Sequence, residues 1–161
     1  MTLQRHVFAF TREGIEIRTL YRRRFFETYT SLKRWHDVER QAWQRSRAET
    51  RTLTGRRRTN VERLTDRLNA PVQGTGADGL KLALTLLWER RGECLSAVPV
   101  LVCHDEVVVE CDADRAPDVE TWVEKAMIEG MDTVLDGTGE TRVPVDVEAR
   151  IARSWGDEGE R

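Results

Sequence analysis

The sequence predicts an α+β protein: a small antiparallel sheet, made of a hairpin and a C-terminal strand, packed by helices, with a helical extension at the N-terminus. Three observations support this class. Apolar residues recur at helical spacing in the first half, two Val-rich runs flank a polar tripeptide in the second half, and apolar and polar residues alternate near the C-terminus. The chain has 161 residues, which is enough for a hydrophobic core.

The first half is predicted to contain two helices and a loop. The helical pattern runs from Arg12 to about Arg51, and Thr30-Ser31 would divide it, with Ser31 as the N-cap of the second helix. Residues 53–60 combine Gly, Thr and Asn with three consecutive arginines, so they are predicted to form a basic loop.

A third helix is expected from about Thr75 to Arg91, and Gly92 would end it. The preceding residues 69–78 contain two glycines and two amide side chains, which is typical of a turn that leads into a helix.

The second half changes to a period of two. The runs 98–103 and 107–111 are rich in valine and are separated by three polar residues, which predicts a tight hairpin. A fourth helix should follow from about Pro117 to Leu135. Residues 143–151 alternate between apolar and polar side chains, which predicts a half-buried strand.

Charge is distributed unevenly along the chain. Residues 1–67 hold 17 Arg or Lys and 8 Asp or Glu, whereas residues 68–161 hold 9 and 20. A basic half beside an acidic half suggests a polyanionic partner together with a separate acidic function. The alternative is that the excess of arginine over lysine among the basic residues merely reflects the base composition of the genome. The three cysteines show no metal-binding spacing, which favours a reducing cytoplasm, and no run is long enough to span a membrane.

The hairpin tip is the strongest chemical signal. His104, Asp105 and Glu106 lie between two apolar strands, and the repulsion between the adjacent carboxylates would be relieved by a divalent cation such as Mg²⁺. The simpler interpretation is a solvated turn. Asn69 and Gln73 carry amides that suit acceptors in the DNA minor groove, although both also fit helix caps.

Taken together, these segments resemble the C-terminal part of a family A DNA polymerase, the bacterial DNA polymerase I type. The resemblance covers residues 10 to 155 approximately. It depends on the order and spacing of three motifs: Thr52-Leu53-Thr54-Gly55-Arg56-Arg57-Arg58, Asn69-Ala70-Pro71-Val72-Gln73-Gly74-Thr75-Gly76-Ala77-Asp78, and Val102-Cys103-His104-Asp105-Glu106-Val107. The ending at 143–148, with Trp155 beyond it, is similar to the last strand and tail of that family.

The resemblance implies specific roles. Asp105 would bind the catalytic pair of Mg²⁺ ions, and Glu106 would be its auxiliary carboxylate. His104 would contact the primer end, while Gln73 and Asn69 would touch the minor groove near it. A further set would lie near the duplex backbone: Arg56, Arg57 and Arg58. The partners would be primer–template DNA and deoxynucleotide triphosphates, and the reaction would be deoxynucleotidyl transfer in DNA replication or repair.

Two motifs of that family have no counterpart in this sequence: the first catalytic Asp motif and the Lys-bearing nucleotide-binding helix. Residues 1–62 would then be a basic helical segment derived from the fingers, and residues 63–161 a partial palm domain. We expect a truncated polymerase that needs an upstream polypeptide fragment for activity. The alternatives are a non-catalytic remnant that only binds duplex DNA, and an unrelated basic interaction module. The five tryptophans are expected to be core or half-buried residues.

Overall fold

The structure is a computed structural model that describes residues 12–45, 49–136 and 143–157. The chain divides into two compact units, residues 1–47 and residues 48–161, which are described separately below. The order of elements is helix, helix, strand, strand, helix, strand, strand and helix, with two single-turn 3-10 helices at Arg91–Glu93 and Ala113–Arg115. The α+β class predicted from the sequence is confirmed. Among the helices of these ranges, none is long and apolar enough to cross a lipid bilayer.

The first unit consists of helices α1 (Arg12–Thr28) and α2 (Thr30–Arg45). The predicted division is confirmed, but it falls at Tyr29, so the assignment of Ser31 as N-cap is wrong. The second helix also ends at Arg45 rather than near residue 51. The Phe26 ring of α1 packs edge-on against His36 of α2, with ring centroids 5.3 Å apart. No residue of α2 is buried.

The second unit begins with an antiparallel hairpin of strands β1 (Glu49–Arg51) and β2 (Arg57–Thr59). The predicted loop at 53–60 is therefore only partly correct, because its last arginines pair with β1. Helix α3 (Leu64–Glu89) follows, and it begins eleven residues earlier than predicted. Pro71 lies inside this helix, so the Gly-rich stretch is helical rather than a turn before the helix.

The core forms between α3 and α4 (Ala116–Leu135). Gly130 permits this packing, because a Cβ there would lie 2.6 Å from the backbone nitrogen of Ala83 and 2.8 Å from the carbonyl oxygen of Gly79. Arg90 at the end of α3 adds two hydrogen bonds of 2.7 and 2.6 Å to the Glu129 carboxylate. The buried cluster comprises Leu87, Cys94, Ala97, Val119, Trp122, Val123 and Ala126.

Strands β3 (Val98–Cys103) and β4 (Glu106–Glu110) form the predicted hairpin. The apolar side chains of Val107, Val109 and Cys111 pack against the buried cluster. Strand β3 remains largely exposed, and its register with β4 shifts between Pro99 and Leu101. The hairpin is thus attached to the helices mainly through β4.

The predicted C-terminal strand is not present. In residues 143–157 the only strand-like position is a single bridge at Ile151, and neither two-stranded sheet includes this segment. The predicted alternation of burial is nevertheless retained, because Val145, Val147 and Ala149 are half-buried and the residues between them are exposed. Alternating apolar and polar side chains determine which face of an extended segment is buried. A β-strand also requires a hydrogen-bonded partner strand.

The three cysteines are free thiols, and they differ in their surroundings. Cys94 is buried, whereas Cys103 and Cys111 are half-buried. Burial, assisted by the negative charge of Asp112, raises the pKa of the Cys111 thiol above its ordinary value.

Candidate functional site

The tip of the second hairpin, residues His104, Asp105 and Glu106, is called the acidic tip. Cys103 pairs with Glu106, so His104 and Asp105 form a two-residue turn. His104 has a φ of 57°, which gives the turn a left-handed first residue. All three side chains are exposed, and the two carboxylates are adjacent along the chain. A short turn between two paired strands presents these groups to solvent with little backbone freedom.

Glu106 is fixed by a residue from the C-terminal segment. The indole nitrogen Nε1 of Trp155 donates a hydrogen bond of 3.0 Å to Oε1 of Glu106. Trp155 was expected to be a core or half-buried residue, and this prediction is wrong, because 57% of the residue surface remains exposed. The second oxygen of Glu106 and the Asp105 carboxylate have no hydrogen bond or ion pair among the described contacts.

The oxygen donors of the acidic tip suit a small divalent cation. Mg²⁺ is commonly held by one or two carboxylates, with water and substrate phosphates as its other ligands. Asp105 and Glu106 fit that arrangement. Across residues 12–45, 49–136 and 143–157, however, no group of three His, Cys, Asp or Glu side chains is placed to hold a metal ion. The tip therefore fits as a partial ligand set, and a two-metal site would need carboxylates from elsewhere.

The first hairpin, residues 49–59, carries positive charge and is called the basic hairpin. The side chains of Arg57 and Arg58 are 59% and 53% exposed. Each is paired with one carboxylate: Arg57 lies 3.4 Å from Glu49, and Arg58 lies 3.9 Å from Asp66. Exposed pairs of this kind contribute little to stability, so both guanidinium groups remain accessible to an anion.

Arg56 has different surroundings from the other two arginines. Its Nε lies 2.5 Å from Oδ1 of Asp78, and its Nη2 donates to the carbonyl oxygen of Gly74 at 3.0 Å. Asp78 also accepts a hydrogen bond of 2.6 Å from Thr54. Desolvation alone would raise the pKa of Asp78, but the hydrogen bonds from Thr54, Thr52 and Arg56 outweigh it and hold that pKa below its ordinary value.

A second contact fastens the basic hairpin to α3. The Leu53 amide donates to the Thr75 hydroxyl at 3.0 Å, and this hydroxyl donates to the Pro71 carbonyl oxygen one helical turn earlier. Gly74 allows the close approach, because a Cβ there would lie 2.5 Å from the Thr52 methyl group. The structural roles of Thr75 and Asp78 were missed from the sequence, since nothing in it indicates that residues 53–56 fold back onto this helix.

A cleft of about 220 Å³ lies between the basic hairpin and α3. It brings together three residues predicted to be functional: Arg56, Arg58 and Gln73. Asn69 precedes Gln73 by four residues on the same exposed face of the helix. No residue of the acidic tip lines this cleft. The predicted site residues thus occur as two groups, one on α3 with the basic hairpin and one at the acidic tip.

Comparison with known proteins identifies the class. Residues 16–157 match the family model for DNA polymerase family A, so the chain belongs to this family. The DNA polymerase I of Aquifex aeolicus is 36% identical over 146 residues, which are 88% of this chain and 24% of that protein. The thermostable DNA polymerase I of Thermus thermophilus is 33% identical over 143 residues, which are 82% of this chain and 16% of that protein.

A solved structure has a similar fold. It is the POL domain of Pol1 from M. smegmatis in complex with DNA primer-template and dNTP, with a TM-score of 0.58 and 24% identity. The similarity covers 71% of this chain and 22% of that chain. This chain therefore spans about a quarter or less of the length of the relatives that it matches.

Proposed function

We propose that this chain supplies one part of the active site of a family A DNA polymerase. The observation that carries the proposal is an exposed Asp105-Glu106 pair at the tip of a hairpin, with Asp105 in the turn and Glu106 at the start of β4, in a chain that matches this family over most of its length. In this role Asp105 binds a catalytic metal ion and Glu106 assists it. His104, which precedes Asp105 in the two-residue turn, contacts the primer end.

Family A DNA polymerases use divalent metal ions. In the proposed site Mg²⁺ would stabilise negative charge on the attacking and leaving oxygens during attack by a primer 3′-hydroxyl. The residues of this chain would contribute position and charge: Asp105 supplies an exposed carboxylate from the turn, and Glu106 supplies a second one from the start of β4. Positioning of this kind supplies much of the catalysis of phosphoryl transfer.

Duplex DNA would lie along the basic hairpin and the exposed face of α3. Arg57 and Arg58 suit phosphate oxygens, because their guanidinium groups are exposed and weakly paired. Asn69 and Gln73 present amides that can donate to minor-groove acceptors found on every base pair. Arg56 would support DNA binding indirectly, because its hydrogen bonds to Asp78 and Gly74 hold the basic hairpin against α3.

We further propose that the chain is active only together with a polypeptide segment that carries the remaining catalytic carboxylate and the nucleotide-binding lysine. Two-metal chemistry requires more carboxylates than the acidic tip provides. Replication or repair would be the setting for either a split or a longer polymerase.

Duplex DNA binding without catalysis is the second candidate, and the exposed Arg57 and Arg58 favour it. The two candidates differ in one experiment. Primer extension is measured with Mg²⁺, a labelled primer–template and this chain, mixed with the part of the Aquifex aeolicus enzyme that precedes the matched segment. DNA affinity of this chain alone is measured in parallel over a range of salt concentrations.

For the polymerase function we expect extension that Asp105→Asn abolishes and that the control Glu110→Gln, at the far end of β4, leaves unchanged. Affinity for DNA should fall steeply with salt, and Arg57→Gln with Arg58→Gln should reduce that slope by about two ion equivalents. Salt-dependent DNA binding with no extension in any mixture would favour the binding module. Extension that survives Asp105→Asn would contradict the proposed metal role.

A further inference from the structure

The contact between Trp155 and Glu106 joins residues 49 positions apart in the chain. It connects the C-terminal segment, residues 143–157, to the acidic tip. Trp88 provides a useful contrast: its ring is also exposed, at 68%, but it packs against the guanidinium of Arg91 at 4.3 Å and not against a carboxylate. The nitrogen of the exposed Trp155 side chain donates to a carboxylate of the proposed active site. This contact indicates a role for Trp155 in that site.

The chemistry of the indole suits the restraint of a metal-binding carboxylate. An indole nitrogen is a donor only, carries no charge and does not titrate in the physiological range. It can therefore restrain a carboxylate without neutralising it, which a lysine or arginine at the same place would do. The hydrogen bond occupies Oε1 of Glu106, and Oε2 has no hydrogen bond or ion pair to the residues that the structure describes. Restraint of one exposed glutamate also removes rotamer freedom that a bound cation would otherwise have to restrict.

We propose that Trp155 is a positioning residue that orients Glu106 toward a divalent cation at the acidic tip. This inference depends on the proposed function, since it assigns Trp155 to the same metal site. It gives the C-terminal segment a task in the site without adding a ligand. Loss of a partner that orients a metal-binding carboxylate typically weakens metal affinity about tenfold or more.

The test uses the full chain with ¹⁵N-labelled indoles, and Mn²⁺ alone as a paramagnetic stand-in for Mg²⁺. Five tryptophans give five indole N–H signals, and the Trp155 signal is the one missing from Trp155→Phe. We expect Mn²⁺ to broaden the Trp155 signal at concentrations that leave the Trp88 signal sharp. Free Mn²⁺, counted by its electron paramagnetic resonance signal, then gives the affinity of each variant.

Trp155→Phe should bind Mn²⁺ about tenfold more weakly than the unmodified chain, whereas the matched control Trp88→Phe should bind it equally well. Glu106→Gln separates positioning from folding, because its amide oxygen still accepts the indole hydrogen bond. In that variant the Trp155 signal should keep its chemical shift while Mn²⁺ affinity falls.

The outcomes distinguish the two proposals. Equal Mn²⁺ affinity in Trp155→Phe and the unmodified chain overturns the positioning role and leaves the polymerase proposal intact. Absence of any Mn²⁺ effect on the Trp155 signal of the unmodified chain, at millimolar Mn²⁺, overturns cation binding by the acidic tip of this chain alone and the positioning role with it, whereas the primer-extension experiment decides the polymerase proposal.

Discussion

His104 occupies a backbone conformation that glycine adopts more easily. Its φ of 57° lies in the left-handed region, where a side chain with a Cβ costs roughly 1 kcal/mol. Among the described residues only Asn60 shares this property without being glycine, and asparagine tolerates it better than most residues. A histidine at this point of the turn is therefore kept at a cost in stability.

The variant His104→Gly should accordingly be more stable than the unmodified chain by up to about 1 kcal/mol, because glycine removes the steric strain. Urea denaturation followed by circular dichroism measures this difference. His104→Ala keeps the Cβ and loses the imidazole, so it serves as the control and should show no gain. A loss of stability in His104→Gly would mean that contacts of the ring outweigh the strain.

Asp78 makes the stability of the second unit depend on pH. Its pKa is lower in the folded protein than its ordinary value of 3.8, so the ionised form stabilises the fold. That contribution is complete above about pH 5 and is lost as the pH falls through the folded pKa, because the protonated acid accepts the hydrogen bonds of Arg56 and Thr54 less strongly.

We therefore expect Asp78→Asn to lower the free energy of unfolding by about 1 kcal/mol at pH 6, the typical size of such hydrogen bonds. The difference from the unmodified chain should shrink below pH 4. Chemical denaturation at several pH values measures it. Asp146→Asn, which alters an exposed aspartate of the C-terminal segment, should change neither quantity. A difference that stays constant down to pH 2 would contradict the assignment.

Between α3 and α4, packing depends on the absence of a side chain at one position. A Cβ at Gly130 would collide with the backbone of Ala83 and Gly79, which belong to a helix and cannot move as a flexible side chain would. Gly76 in α3 has no atom within 4 Å of the corresponding position. The two glycines therefore form a matched pair with opposite expectations.

Gly130→Ala should lower the free energy of unfolding by about 1–3 kcal/mol, the range for overpacked cores. Gly76→Ala should raise it by about 0.5–1 kcal/mol, because alanine restricts the unfolded chain and favours the helix. Thermal or urea unfolding of both variants gives the comparison. Equal effects of the two substitutions would show that the close approach of the helices is not as described.

The elements differ in how well the sequence predicted them, and the reason is physical. Helix α4 was correct to within one residue, because Val119, Trp122, Val123 and Ala126 lie on one face and are all buried. Helix α3 was shortened in the prediction, because Pro71 and two glycines are usually helix breakers. Here the contacts of Thr75 and Asp78 with the basic hairpin accompany a helix that continues through them.

The parts of the candidate site that depend on neighbouring residues in the sequence were predictable, whereas the contacts between distant segments were not. The sequence predicted a turn at His104, Asp105 and Glu106 because the flanking runs are strongly apolar. His104 and Asp105 do form the turn, whereas Glu106 is the first residue of β4. It did not place Trp155 beside Glu106, since a contact across 49 residues leaves no local pattern. The prediction of a C-terminal strand was wrong for a related reason. The alternation in residues 143–151 can be read from one segment, whereas strand pairing also depends on a second segment.

At the scale of the whole molecule, the two units differ in their ability to bury apolar surface. The second unit has a cluster of seven buried residues. The first unit exposes Tyr21, Phe25 and Tyr29, and its helix α2 buries nothing. Helices of this length are marginal in water without tertiary packing. Stability of the chain should therefore reside in residues 48–161.

A polypeptide of residues 48–161 should unfold in urea with one cooperative transition and keep its near-ultraviolet signal from Trp122. A polypeptide of residues 1–47 should show weak helicity that fades gradually on heating, because none of the side chains described between residues 19 and 45 is buried. Circular dichroism of both fragments measures this. A sharp transition in the shorter fragment, or none in the longer one, would contradict the division.

The rates at which the cysteines are alkylated can report how often the second hairpin separates from the helices. Cys94 and Cys111 belong to the surface where β4 meets the helices, and Cys103 lies beside the turn. The raised pKa of Cys111 lowers its thiolate fraction at a given pH, so alkylating reagents should modify it more slowly than an ordinary thiol. Mass spectrometry after brief iodoacetamide pulses should show Cys103 labelled first. The delay before the buried Cys94 is labelled then reports how often this layer separates from the core.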